Sequence, residues 1–129
     1  MITLQDVLEI HTLQIQEHGG LLGLRDEGAL LAALERPFGG FGDYEFYPTP
    51  QGKAAAVLES LIINHPFMDG NKRTGYFIMR LVLLEAGVDL TADQEERYRF
   101  VISVASGMTS YEEIVNWIHS NSGPANFTS

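Results

Sequence analysis

The chain has 129 residues, 45% of them hydrophobic and 19% charged, with 8 Lys+Arg against 17 Asp+Glu and a formal net charge of −9. That length supports one compact domain around a single core rather than two, and the excess of carboxylates opposes the spread cations that a nucleic-acid backbone requires, so direct nucleic-acid binding is disfavoured. Cysteine is absent, which removes disulfides, thiolate nucleophiles and Cys-based metal sites and is compatible with a cytoplasmic protein.

From the N-terminus, MITLQDVLEI lacks a basic segment followed by a long apolar run, so no signal peptide is expected. Thr3 with Asp6 forms a capping-box start, and Val7, Ile10, Leu13 and Ile15 give a helical apolar pattern that Gly19-Gly20 stops. A second helix is expected over 26–35, with Leu30, Leu31 and Leu34 on one face and Pro37 closing it. Residues 38–48 are glycine-rich and aromatic without helical period, the signature of an exposed loop or small hairpin.

Thr49 is a good N-cap and Pro50 suits the first helical position. The third helix then carries Ala54, Val57, Leu58, Leu61 and Ile62 up to Pro66 and delivers His65 at its end. Asn71 can cap a fourth helix whose apolar residues, from Phe77 to Leu84, cover nearly every side, as expected of a helix buried in the middle of a domain. Its apolar stretch, Tyr76 to Ala86, is interrupted by Arg80 and Glu85 and falls short of the roughly 20 residues that span a bilayer, so no membrane association is expected. Thr91 with Gln94 and Thr109 with Glu112 mark further capping boxes, for helices near 91–105 and 109–121. The expectation is an all-α, six-helix domain over 1–121, a short glycine-rich flap before the third helix, and a frayed tail at 122–129.

The chemistry concentrates in His65-Pro66-Phe67-Met68-Asp69-Gly70-Asn71-Lys72-Arg73-Thr74-Gly75, where two of the eight cations stand side by side on an acidic protein. A helix opening there leaves its first N–H groups unpaired and partly positive, which suits phosphate. Gly70 allows close backbone approach, while Lys72 and Arg73 add a point charge and a bidentate fork. Asp69 either pairs with Arg73 or caps the helix, or it holds a Mg²⁺ ion between itself and phosphate oxygens. His65 either caps the third helix or serves as a general base toward a hydroxyl. Phe67 reads as a core anchor. His11, His18 and His119 have no such company and read as structural or surface residues. A zinc site finds too few ligands, and no Walker A loop is present. Together the groups describe phosphoryl or nucleotidyl transfer from a nucleotide to a hydroxyl.

The run from His65 to Arg73 resembles the signature of the Fic/Doc family, written roughly as H-x-F-x-D/E-G/A-N-K/G-R. Gly23-Leu24-Arg25-Asp26-Glu27-Gly28, Tyr47-Pro48-Thr49 and the short length are similar to its Doc, or death-on-curing, branch of toxins. The resemblance implies that His65 activates a target Ser or Thr hydroxyl, that Asp69 holds Mg²⁺, and that Gly70, Asn71, Lys72 and Arg73 surround the phosphates of ATP. Residues 38–48 would be the flap that aligns a target segment by strand addition. Lys72 stands where AMP-transferring members usually have glycine, and Tyr76 where they have a second arginine. Both features go with transfer of the γ-phosphate, hence a protein kinase, with an elongation factor of translation as the implied target. The alternatives are an adenylyltransferase of the Fic type and an inactive nucleotide- or antitoxin-binding module. No S/T-x-x-x-E-G/N inhibitory helix is found, since Thr109 and Glu113 are followed by Ile114. This implies inhibition in trans by a cognate antitoxin.

Overall fold

In the computed structural model, which describes residues 2–126, every α-helix but the fourth begins where a short polar side chain accepts one of its first amide protons. Thr3 and Asp6 form the capping box that opens α1 (Leu4–His18), and Asp26 caps α2 (Glu27–Glu35). The chain tightens into a 3₁₀ turn at Arg36–Phe38 around the buried Pro37, then makes a hairpin of β1 (Gly40–Phe41) and β2 (Tyr44–Glu45). Thr49 caps α3 (Pro50–Ile63), α4 runs Asn71–Glu85, and β3 (Val88–Leu90) follows. Then come α5 (Gln94–Ala105), α6 (Tyr111–Ser120) and β4 (Ser122–Pro124).

The six expected helices are present, and the glycine-rich flap is the β1–β2 hairpin. Several details differ. The cap of α4 is Gly70, not Asn71, because Gly70 adopts the left-handed conformation that redirects the chain while Asn71 is already the first helical residue. The cap of α5 is Asp93 rather than Thr91, and that of α6 is Ser110 with Glu113 rather than Thr109 with Glu112. The tail expected to fray at 122–129 is instead paired over Ser122–Pro124, antiparallel to Val88–Leu90. Residues 127–129 lie outside the described residues. No helix among the described residues is long and apolar enough to cross a membrane.

The core has two halves, and α3 runs between them. Val57 and Leu61 face a cluster with Val7, Leu30, Ala33, Phe67 and Ile78. Ala54, Ala55, Leu58 and Ile62 face a larger one with Met79, Leu83, Phe100, Val104, Ile114 and Ile118. A helix with apolar partners on both sides has no polar face to keep, so α3 rather than α4 is the buried axis of the domain. Full burial of each large aliphatic side chain stabilises by about 1.5–3 kcal/mol. Close approach of α4 to α3 leaves little room at Gly75, where an added Cβ would lie 3.2 Å from Ile62 Cγ1 and 3.4 Å from Leu61 Cβ. The outer face of α4 is open, with Lys72, Arg73 and Phe77 exposed.

Candidate active site

Between α3 and α4 the chain makes a tight connection most of whose backbone groups find hydrogen-bond partners within the fold. Asn64 ends α3, and His65 then takes φ +46°, the one left-handed non-glycine residue among those described. Such a conformation costs an L-residue roughly 1–2 kcal/mol, so something must hold it. Arg25 does, donating from Nη2 to Asn64 O at 2.5 Å and from Nε to His65 O at 2.6 Å. A guanidinium at a helix C-terminus also satisfies carbonyls that lack helical partners and opposes their partial negative charge.

The same segment pins the rest of the loop. Arg25 N–H and Asp26 N–H both donate to Pro66 O, Met68 N–H donates to Gly23 O, and Leu24 and Phe67 form an antiparallel bridge. Phe67, 2% exposed, anchors in the smaller core cluster as expected. The Asn71 carboxamide closes the loop from the other side, with Oδ1 accepting from Phe67 N–H and Nδ2 donating to Phe67 O, both at 3.0 Å. Holding the main chain of His65 inward leaves its ring outward. The ring is exposed, lines the cleft described below, and makes no hydrogen bond among the described residues, so it is not a helix cap.

Asp69 and Gly70 form the floor. The Asp69 carboxylate accepts from Leu21 N–H through Oδ2 at 3.2 Å and from Gly70 N–H through Oδ1 at 2.9 Å. Leu21 reaches it because Gly20, at φ +116°, has no Cβ, and one built there would sit 2.7 Å from Asp69 Oδ2. The first amide of α4 to bond back is that of Thr74, to Gly70 O, so those of Asn71, Lys72 and Arg73 have no intrahelical acceptor.

These groups open on one cleft of about 1100 Å³, lined by His65, Met68, Asp69, Gly70, Asn71, Lys72, Arg73 and the outer faces of α4 and α5, with Gln14 and His18 from α1 at its rim. Its charge is concentrated by elimination. Of the eight cations, Arg25, Arg36, Lys53, Arg80, Arg97 and Arg99 each have hydrogen-bond or ion-pair partners. Lys72 and Arg73 alone have none among the described residues, and both are exposed at the helix start. No Arg73 pairing with Asp69 is formed. An anion in the cleft would therefore meet two uncommitted cations and three free amides.

The donor set around Asp69 also fits a hard divalent cation. Each carboxylate oxygen has one N–H partner and a remaining lone pair toward solvent, and the described residues contain no cluster of three or more His, Asp or Glu that could cage a metal by themselves. A Mg²⁺ ion, which is usually bound by one or two carboxylates plus phosphate oxygens and water, suits that arrangement, with Asp69 as the one protein ligand.

His65, Asp69, Gly70, Lys72 and Arg73 are thus gathered at one cleft. Asn71 differs, since its side chain is buried and engaged with Phe67, leaving its backbone N–H as the only group it can offer a ligand. The sequence reading missed the α5 wall, where Tyr98 and Ile102 face the cleft opposite Phe77. Tyr76, singled out in the sequence only by its place in the resemblance, has a partner that spacing does not show, its hydroxyl accepting from Arg97 Nη1 at 3.2 Å. Arg25 had been noted only as part of a resemblance. His11 had a visible signal, being four residues from both Val7 and Ile15 on the buried stripe of α1.

Comparison with known proteins agrees with this geometry. The sequence model of the Fic/DOC family matches residues 1–83, from α1 through most of α4. A protein of Mycolicibacterium smegmatis named Toxin Doc is 45% identical over 75 residues, a match spanning 58% of this chain and 58% of that protein.

Proposed function

The chain belongs to the Fic/Doc family, and from that membership we propose that it is a Doc-like toxin of a toxin–antitoxin pair, a protein kinase that moves the γ-phosphate of ATP to a Ser or Thr hydroxyl. The observation that carries the reading is the confluence, in one cleft, of an exposed and unengaged His65, the Asp69 carboxylate, and the only two unpartnered cations among the described residues at an amide-rich helix start. The resemblance of the motif to Doc-like members, with Lys72 in place of glycine, favours the γ-phosphate over the AMP unit. The protein target by the same analogy is a translation elongation factor, the setting the cytoplasm, and the regulator a cognate antitoxin.

In this reading the Lys72 ammonium, the Arg73 guanidinium and the α4 amides bind and orient the phosphate chain, so that charge spreading over the transferred group meets donors already in place. His65 takes the proton of the target hydroxyl as its oxygen forms a bond to the γ-phosphorus. The bond between that phosphorus and the bridging oxygen breaks, and ADP leaves with the electron pair. Mg²⁺, when bound at Asp69, supplies neutralisation of phosphate charge. The main chain of His65, fixed by Arg25, sets the point from which its side chain extends into the cleft, which matters because catalysis of this type is mainly positioning.

Purified protein incubated with cell extract, Mg²⁺ and ATP labelled in either the γ or the α position tests this. Label transferred from the γ position and lost in His65→Ala is the expected result. Transfer from the α position alone would replace the kinase by an adenylyltransferase, and growth arrest on expression that survives His65→Ala would replace both by a binding function.

A further inference from the structure

Helix α1 carries a buried histidine that the transfer chemistry leaves unused. His11 is 3% exposed and lies between Val7 and Ile15 on the inner face of α1. Its ring lies flat on that of Phe67, with centroids 3.7 Å apart and planes 7° apart. Its Nε2 is 2.7 Å from the backbone carbonyl oxygen of Asp69. A carbonyl oxygen has no proton to give, so Nε2 is the donor and carries its hydrogen.

The carbonyl held in this way belongs to the peptide joining Asp69 to Gly70. Because that unit is planar, fixing the C=O on one side fixes the Gly70 N–H on the other, and this N–H is the one that reaches back to Asp69 Oδ1. Only the Gly70–Asn71 peptide separates this unit from α4, and Gly70 joins the two in the left-handed conformation, so the orientation of the fixed plane is passed through Gly70 to the first free amides of the helix. Glycine alone would leave that plane free to rotate. The space is closed as well, since a Cβ on Gly70 would come 3.6 Å from His11 Nε2 and 3.1 Å from Ile15 Cδ1. Helix α1 and the turn that follows it therefore meet residue 69 at two separate points, the helix at its carbonyl through His11 and the turn at its carboxylate through Leu21 N–H.

We propose that His11 is a positioning residue of the cleft: its Nε2–H locks the Asp69–Gly70 peptide and thereby aims both the Asp69 carboxylate and the opening amides of α4. In its purpose, though not in its geometry, the inference rests on the reading of the cleft as a site for metal-bound nucleotide.

Two substitutions separate the hydrogen bond from the packing. His11→Phe keeps a ring to stack on Phe67 and loses the donor, whereas His11→Gln places an N–H near the Nε2 position and loses the ring. In the ligand-free, ¹⁵N-labelled chain, the wild-type His11 ring should show its hydrogen on Nε2, and the amide resonances of Gly70, Asn71 and Lys72 should move in His11→Phe and stay near their places in His11→Gln. Binding of Mn²⁺ with a non-hydrolysable ATP analogue, read by electron paramagnetic resonance, should weaken about tenfold in His11→Phe, the equivalent of one hydrogen bond of roughly 1.4 kcal/mol, and much less in His11→Gln. A wild-type ring without hydrogen on Nε2 overturns the proposal even if His11→Phe does not fold. So does equal loss of binding in both variants, which would mean packing, or no loss in either. A wild type that binds no metal–nucleotide would refute the purpose, while the ligand-free spectra still decide whether His11 sets the peptide.

Discussion

Replacing Asn71 by alanine should destabilise the whole domain, although the residue belongs to a motif read as a phosphate cradle. Its carboxamide is buried and makes two hydrogen bonds of 3.0 Å to the two backbone groups of Phe67, a residue itself anchored in the core. Truncation leaves a buried N–H and a buried C=O without partners, at about 1–3 kcal/mol each. Alanine at the first helical position recovers no more than roughly 0.7 kcal/mol in propensity. The net loss is about 1–5 kcal/mol, a large share of the 5–15 kcal/mol typical of a domain, and should lower the melting temperature by on the order of 10 °C. Asn71→Asp should fare no better, because it keeps the acceptor for Phe67 N–H but turns a second acceptor toward Phe67 O and buries a charge. Urea unfolding followed by far-ultraviolet circular dichroism measures both. An alanine variant within about 0.5 kcal/mol of wild type, the range of an ordinary surface substitution, would refute the assignment of Asn71 as the internal clasp of the loop.

Gly75→Ala should change stability by less than about 1 kcal/mol, because the gain in helix propensity of that size is offset by a methyl 3.2 Å from Ile62 Cγ1. Gly75→Val should cost about 1–3 kcal/mol through overpacking, read from the same urea midpoints. Arg25→Ala removes two hydrogen bonds at an exposed site, so global stability should fall by no more than about 1 kcal/mol. Amide hydrogen exchange at Met68, whose N–H bonds to Gly23 O, should nevertheless accelerate by an order of magnitude or more as the loop opens locally. Unchanged exchange there would show that the loop holds without Arg25. Asp89 has its carboxyl held below the usual aspartate range by hydrogen bonds from Arg80, with smaller help from Leu90 N–H and the Arg80 charge against a desolvation cost. A depressed carboxyl stabilises the fold above its unfolded value of about 3.9 and loses that contribution as pH falls through the lower folded value. Wild type should thus exceed Asp89→Asn in urea midpoint at neutral pH, with the gap closing below about pH 4. A gap that persists in strong acid would refute the ion-pair account.

The helices were legible because their signals are local. Capping residues, the Pro50 start and the apolar spacing of α3 act within one or two turns, and all three produced elements where expected. What was missed depends on partners far away in the chain. Whether Ser122–Pro124 is loose or paired is decided by Val88–Leu90, more than thirty residues earlier, and nothing in a tripeptide of Ser, Gly and Pro announces a strand. The apolar stripe of α1 was read one step off, since Leu13 is 55% exposed while His11 is buried. Hydropathy alone ranks those two the other way; helical spacing from Val7 and Ile15 puts position 11 on the inner face, and the ring of Phe67 and the carbonyl of Asp69, 58 residues later, give a buried imidazole its partners. For the site, residue types and spacing located the groups at one helix start, but could not say which side chains face outward. Asn71 and His65 look alike as polar motif residues, and the fold turns one inward and the other out.

The exposure of α4 has the same origin and explains how this small domain can hold both a core and a site. A helix whose first turn must meet a soluble ligand cannot also be sealed on every side, so burial has to be supplied by a neighbour. That neighbour is α3, with nine buried residues and apolar partners in both halves of the core. α4 then needs only the face carrying Thr74, Gly75, Ile78, Met79 and Leu83 for packing, which frees Lys72, Arg73 and Phe77 to line the cleft. Substitutions on α3 should therefore reach the site only through global stability, whereas those at Lys72 or Arg73 should leave unfolding nearly unchanged and act on the ligand. The loop from His65 to Gly70 belongs to both categories, because its side chains face the cleft while its backbone is tied to α1, α4 and the segment before α2.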